Sequence, residues 1–319
     1  MQVTIHTFGD PCPYTKKYLE VTYHCEGSTG RIMLGGKGKG PGLFRTARGL
    51  TVSSTNEIFV TDVRNKRIQV FSMEGVFLRS FPTEDLEPQD ISADRNDSLW
   101  VVLHGRYRKF LYENAVIQYS KEGHVLAKFQ CNGRFRLHGI AMDKLSDKII
   151  LTIARYSGTF ELPIYPTVGM IPHAEAVWFS PTHALTEQET RTCNMSRFGS
   201  TEEGQMPQSV TVDKKGNIFI ADMVTHRVLK YNKNGVYLSS FGSRGAGAGN
   251  LHHPSGICVD SLGRIIVADS WNSRLEMFTA EGDHVCTVAK IKSPQHVAAG
   301  GEGQLVVSKV YDFVTIFPK

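Results

Sequence analysis

Short apolar runs on consecutive positions punctuate this chain, among them Ile149-Ile150-Leu151 and Ile218-Phe219-Ile220-Ala221, each set between polar turns. Consecutive rather than alternate apolar residues mark strands covered on both faces. The runs belong to a phrase of sixteen residues written three times: VTDVRNKRIQVFSMEG from Val60, IADMVTHRVLKYNKNG from Ile220 and VADSWNSRLEMFTAEG from Val267. Each copy holds an apolar pair, an Asp, a polar stretch, an Arg five positions after the Asp, an apolar-rich run and a turn closed by Gly75, Gly235 or Gly282. A Gly at the last position of a tight hairpin supplies the positive φ that the turn requires. The pattern predicts strand, loop, strand, hairpin.

A second phrase, a small or polar pair followed by an apolar stretch, precedes each copy and recurs where the full copy does not. It reads Arg48-Gly49-Leu50, Gln89-Asp90-Ile91, His138-Gly139-Ile140, Gln208-Ser209-Val210, Ser255-Gly256-Ile257 and Gln295-His296-Val297. Six units of roughly forty residues, one of them expanded, are a repeat array, and four-stranded units arranged radially cover each other's faces. The expected fold is all-β, a six-bladed β-propeller. The last unit runs out at Val314-Thr315-Ile316-Phe317, the counterpart of a third strand. Arg31-Ile32-Met33-Leu34 is expected to supply the missing fourth strand and close the ring.

The stretch FGSRGAGAGNLHHPSGICVDSLGRIIVADSWNSR from Phe241 to Arg274 resembles the NHL repeat of tripartite-motif ubiquitin ligases, and the resemblance extends over about Arg31 to Lys319. It is strongest in units one, four and five; units two, three and six lack the Asp-to-Arg pair. The resemblance implies a non-enzymatic binding propeller that helps choose targets for ubiquitination, with the catalytic RING domain supplied elsewhere. Residues 10–25, DPCPYTKKYLEVTYHC, instead resemble the C-terminal end of a galactose- and rhamnose-binding lectin domain of sea-urchin egg type. The matching positions are Asp10-Pro11-Cys12, Lys17-Tyr18-Leu19 and Tyr23-His24-Cys25. The expected division is a lectin-like remnant at 1–27 and a propeller at 31–319. Carbohydrate binding is expected only if a longer chain completes the lectin domain.

A net charge of +5 and an isoelectric point near 8.8 permit nucleic acid or an acidic partner without demanding either. No apolar run reaches the eighteen residues of a membrane span. The start, MQVTIHTFGDP, lacks the basic and apolar segments of a secretory signal. Cytoplasmic location follows as the expectation, with extracellular location the alternative if a lectin domain and signal lie upstream. The six cysteines show neither CxxC nor paired His spacing, so neither a zinc site nor any other cofactor is expected. Cys258 and Cys286 sit in apolar runs and read as small hydrophobes.

The glycine-rich GGKGKGPG from Gly35 is not a phosphate loop, because Lys39 is followed by Gly40-Pro41 rather than by Ser or Thr opening a helix. It reads as a connection between blades. The pairs Asp62 with Arg67, Asp222 with Arg227 and Asp269 with Arg274 read as structural pins, because they repeat. An enzymatic alternative places Asp90, His138 and His296 at equivalent points of the channel, where they would converge on a metal. Gly49, Ser209 and Gly256 at the other equivalent points argue against it.

Recognition is expected on the face where the loops between second and third strands meet the inter-blade connections. Residues differing between copies are the candidates: Arg64, Asn65 and Lys66, then Thr225 and His226, then Trp271 and Asn272. Arg45, Arg48, His138, Gln208, His252, His253 and Gln295 join them from the inter-blade side. A protein partner is the leading expectation. Single-stranded RNA stacking on Trp271 beside Arg64, Lys66 and Arg48 is the alternative. Insertions at His104–Asn114 and Tyr156–His173 extend the same face.

Overall fold

The computed structural model describes residues 30–108, 111–133, 135–155, 173–181, 190–193, 195–198, 206–310 and 312–318, with the backbone of the strand pair Val3–Thr4 and Thr22–Tyr23. Six sheets, five of four strands and one of five, form the six blades of a propeller, each built on four antiparallel strands. Blade one is Ala47–Val52, Ile58–Asp62, Arg67–Phe71 and Phe77–Pro82. Blades two and three begin at Glu87–Ala93 and Phe135–Asp143. Blade four is Pro207–Val212, Ile218–Asp222, Arg227–Tyr231 and Tyr237–Phe241. Blade five is Pro254–Val259, Ile265–Asp269, Arg274–Phe278 and His284–Lys290. Blade six is Pro294–Ala299, Leu305–Lys309 and Phe313–Phe317, closed by Ile32–Gly35 from the other end of the chain. In that closure Ile32 pairs with Ile316 and Leu34 with Val314, so the inferred strand swap is present.

The apolar runs are buried from both sides, as their lack of alternation requires. Ile58 and Val60 pack with Leu34, Val306 and Val314 of blade six. Phe59, between them, points the other way and packs with Ile91, Leu99 and Val101 of blade two. The same division recurs round the ring, so the core consists of six apolar layers between neighbouring blades. The turn glycines have the left-handed backbone that was read from them, with φ of 82° at Gly75, 76° at Gly235 and 102° at Gly282.

Blade two carries a fifth strand, Thr190–Thr192, running parallel to its outer strand Val125–Gln130. A disulfide between Cys131 and Cys193 fastens this addition. Cys258 is a buried free thiol, as expected, but Cys286 is disulfide-bonded to a partner outside the described residues, which corrects its reading as a free hydrophobe. The lectin-like residues 10–25 also lie outside the described residues apart from the backbone of Thr22–Tyr23.

Two of the three expected Asp–Arg pins form. Asp62 is fully buried and receives Arg67 Nε at 2.9 Å, Asn65 Nδ2 at 2.8 Å and the Arg45 amide at 2.8 Å. Arg67 Nη2 then donates to the carbonyls of Gly40 and Leu43, both at 2.8 Å. Asp269 repeats the arrangement with Arg274, Asn272 and the His252 amide, and Arg274 reaches the carbonyls of Ala246, Gly247 and Asn250. The glycine-rich loops are therefore inter-blade connections whose carbonyls hold the Arg. Asp222 does not pair with Arg227, which is exposed; it accepts instead from the amides of Met206, Val224 and Thr225. The reason lies in two supporting positions. Blades one and five place Asn65 and Gln69, or Asn272 and Glu276, around the guanidinium, whereas blade four has Thr225 and Leu229.

Removing one partner of a buried, hydrogen-bonded ion pair strands the other. Arg274→Ala is expected to cost about 3 kcal/mol in chemical denaturation, whereas Arg227→Ala stays within about 0.5 kcal/mol. Equal losses would remove the pin from the structural account.

Candidate binding face

Each first strand enters the ring with the same bulge. Pairing with the second strand slips between Ala47 and Leu50, and likewise at Pro88–Asp90, Leu137–Ile140, Pro207–Ser209, Pro254–Gly256 and Pro294–His296. Alignment on the bulge sets Arg48, Gln89, His138, Gln208, Ser255 and Gln295 at one level, and Gly49, Asp90, Gly139, Ser209, Gly256 and His296 at the next. His138 is thus one position out of step with Asp90 and His296. A side chain shifted by one along a strand turns to a different direction, which corrects the converging metal triad. Among the described residues these three do not gather ligand atoms within metal-binding distance of one another.

The channel groups partner one another or stay buried. Arg48 donates to Gln89 Oε1. The Asp90 carboxylate accepts the Ile140 amide at 3.0 Å and lies 3.5 Å from His296 Nδ1. It occupies the space above Gly49, where a Cβ would stand 2.5 Å from its oxygen. Burial raises Asp90 to about 7, opposed by the Ile140 and Ile91 amides and by Arg48. Burial, reinforced by Arg48, lowers His138 and His296 to about 3. His104, whose Nε2 meets the Leu137 carbonyl at 2.7 Å, is lowered by the same burial and by Arg136. Arg48, His138, Gln208 and Gln295 therefore belong to the channel wall rather than to the loop face.

The loop face is made of the remaining candidates. Arg64 is exposed, and Lys66 reaches Asp85 at 3.5 Å. Asn65 and Asn272 are not available to a partner through their amide groups, since each Nδ2 donates to its Asp and to an inter-blade carbonyl, Gly38 or Gly245. They repeat between two copies and are parts of the pin. Thr225 stays half-buried, its amide on Asp222.

Trp271 is 67% exposed. Its amide donates to the His252 carbonyl at 3.1 Å, and its indole stacks on His253 with centroids 3.9 Å apart and planes 30° from parallel. His226 from blade four completes the group: its ring centroid lies 4.7 Å from that of His253, and its Nδ1 accepts the His253 amide at 3.1 Å. Burial lowers His253 to about 4, and His226 also lies below its usual value, with the neighbouring imidazoles and Arg244 adding to both. Trp271 thus packs on the connection into blade five, which His226 ties to blade four. Arg64 and Lys66, expected beside it, stand on blade one, with blade six between. The insertion after His104 is a long hairpin of Leu99–Arg108 and Leu111–Tyr119; that after Tyr156 lies outside the described residues.

Channel burial makes stability fall with acidity. Folded His104, His138 and His296 refuse protons that the unfolded chain takes up below pH ~6.5, so their contribution is complete above that pH and lost as pH falls. Asp90 acts oppositely, its contribution present below pH ~4 and lost as pH rises through about 7. Three groups outweigh one, so the denaturation midpoint is expected to drop between pH 7 and pH 5, by up to ~1.4 kcal/mol per pH unit for each net proton. His138→Phe should flatten that drop; an unchanged slope would count against a neutral buried His138.

Residues 44–71 and 251–278 match the NHL repeat family, and these are the two units in which the pin forms. The chain is 26% identical over 226 residues to the protein brain tumor of Drosophila melanogaster, covering 71% of this chain and 14% of that protein. It is 22% identical over 311 residues to the E3 ubiquitin-protein ligase TRIM32 of Mus musculus, covering 88% of this chain and 42% of that one. The chain therefore spans less than half the length of either relative. Among solved structures, a gluconolactonase from Xanthomonas campestris shares the fold with a TM-score of 0.59 at 13% identity, covering 86% of both chains. From the repeated phrase, the six closed blades and these relatives, the chain is a six-bladed β-propeller of NHL repeats, similar over most of its length to part of the brain tumor and TRIM32 proteins.

Proposed function

We propose that the chain is a non-enzymatic binding module whose loop face, centred on Trp271, engages a protein partner. The observation that carries this reading is a two-thirds exposed indole held on a loop that Asp269 and Arg274 immobilise. A rigid aromatic anchor loses little entropy on binding, which is why Trp dominates interface energetics. The ubiquitin-ligase relative supports a finer version, in which the bound protein is selected for ubiquitination by a domain supplied elsewhere. Single-stranded RNA is the second reading, supported by the same indole as a stacking platform and by exposed Arg64. The separation of Arg64 and Lys66 from Trp271 by a whole blade weakens it. Sugar binding rests on residues outside those described and would apply only if the lectin domain were completed in a longer chain.

For location we propose the extracellular alternative, which requires a signal upstream and under which the ubiquitination version would not apply. The Cys131–Cys193 disulfide and bonded Cys286 support it, because reducing compartments keep thiols free.

Trp271→Ala is expected to weaken a cross-linked and identified protein partner by about 2 kcal/mol, roughly thirtyfold, without lowering the thermal midpoint. Unaltered affinity would sink the anchor. A salt-sensitive mobility shift with single-stranded RNA, lost in the same variant, would transfer the reading to RNA. Alkylation of unreduced protein from its source should leave Cys131 and Cys193 unlabelled and recover them as one linked peptide. Labelling of both would return the chain to the cytoplasm.

A further inference from the structure

Blade four's loop and the connection into blade five bring three imidazoles together. His226, His252 and His253 each offer a ring nitrogen within 4.8 Å of the other two, the one such gathering of His, Cys, Asp or Glu among the described residues. Two of those residues have nitrogens with nothing to do: His252 Nε2 and His253 Nδ1 are buried and lack a hydrogen-bond partner. Buried polar atoms are nearly always satisfied, so two unpartnered nitrogens inside one cluster of imidazoles call for a ligand.

We propose that His226, His252 and His253 form a binding site for a divalent first-row transition ion of the zinc or copper type. Imidazole nitrogen suits these ions, whereas calcium and magnesium take oxygen. Three protein ligands leave one tetrahedral position open. The scaffold fixes the donors in advance: the His252 amide is held by Asp269 at 2.6 Å, and the backbones at His226 and His253 turn with φ of 58° and 50°. One rearrangement is needed. His226 Nδ1 now accepts the His253 amide, and that hydrogen bond breaks whichever of its nitrogens binds the ion. Of the charged groups acting on His226, Asp269 assists a cation and Arg244 opposes it. The site is invisible as a spacing motif, because two ligands are adjacent in sequence and the third comes from the preceding blade.

Trp271 reports on occupancy, since its ring stacks directly on His253. The test is calorimetric titration of the chelator-treated, full-length protein with zinc alone, paired with copper titration followed by tryptophan fluorescence. One-to-one zinc binding and copper quenching that Trp271→Phe abolishes are expected. His252→Ala and His253→Ala should each weaken zinc more than ~10-fold, the loss that even a supporting residue brings. His124→Ala, exposed and remote, should change nothing. Absence of stoichiometric binding by the wild-type protein overturns the site without reference to any variant. Binding that survives both His substitutions, or that follows His124, overturns it equally.

Discussion

Burial of each second strand on both faces is the condition on which the rest of this molecule depends. A strand such as Ile58–Asp62, with no exposed residue, satisfies one face on the preceding blade and the other on the following blade. No blade can meet that requirement alone, and an open row of six would leave a bare apolar sheet at each end. The ring is the arrangement without ends. Its closure by Ile32–Gly35 follows from the same demand, because Leu34 completes the apolar layer that Ile58 and Val60 enter from blade one.

Closure places six sets of loops on one face, and the pins decide which of those loops are rigid. In blades one and five a single guanidinium ties the Asp at the end of the second strand to the carbonyls of the incoming connection. The loop that carries Trp271 is thereby fastened to the loop that carries His252 and His253. Blade four lacks the Asn and the Gln or Glu that orient the Arg, and its loop instead leans on blade five through His226. The aromatic cluster sits at the junction of a pinned blade and an unpinned one.

Architecture was readable because it is written in spacing: consecutive apolar positions, turn glycines and the interval between copies all survive translation into distance. The strand swap was readable for the same reason, as a unit one strand short. What failed was direction. His138 stands one position before Asp90 and His296 in the recurring phrase, at the level of Gln89 and Gln295, and so faces a different direction from them. Asn65 and Asn272 were taken for recognition residues because the copies differ around them. Their identity in two of the three copies was the available signal for a structural role. The fifth strand of blade two and the Cys131–Cys193 bond depend on how an expanded unit folds back, which no local pattern records. The convergence of His226 with His252 and His253 is equally nonlocal.

Both polar regions leave imidazole nitrogens unused, His104 Nδ1 and both nitrogens of His138 in the channel and His252 Nε2 and His253 Nδ1 at the rim, but they differ in exposure, since only the rim group stands beside an exposed indole. In the channel, Asp90 spends its oxygens on the Ile140 amide and on His296, Arg48 is engaged by Gln89, and Gly49 provides the space in which these groups meet. Substitution there acts first on how the six first strands approach one another, so the channel wall is tied to the integrity of the ring. At the rim the scaffold is finished before the side chains are counted: Asp269, Arg274 and the backbone amides already hold the loops, while the indole of Trp271 and two imidazole nitrogens remain unspent. A group that the fold does not need can be given to a ligand without loosening the fold. Because the unspent channel nitrogens are sealed in while those at the rim lie against the exposed Trp271, recognition belongs to the junction of blades four and five.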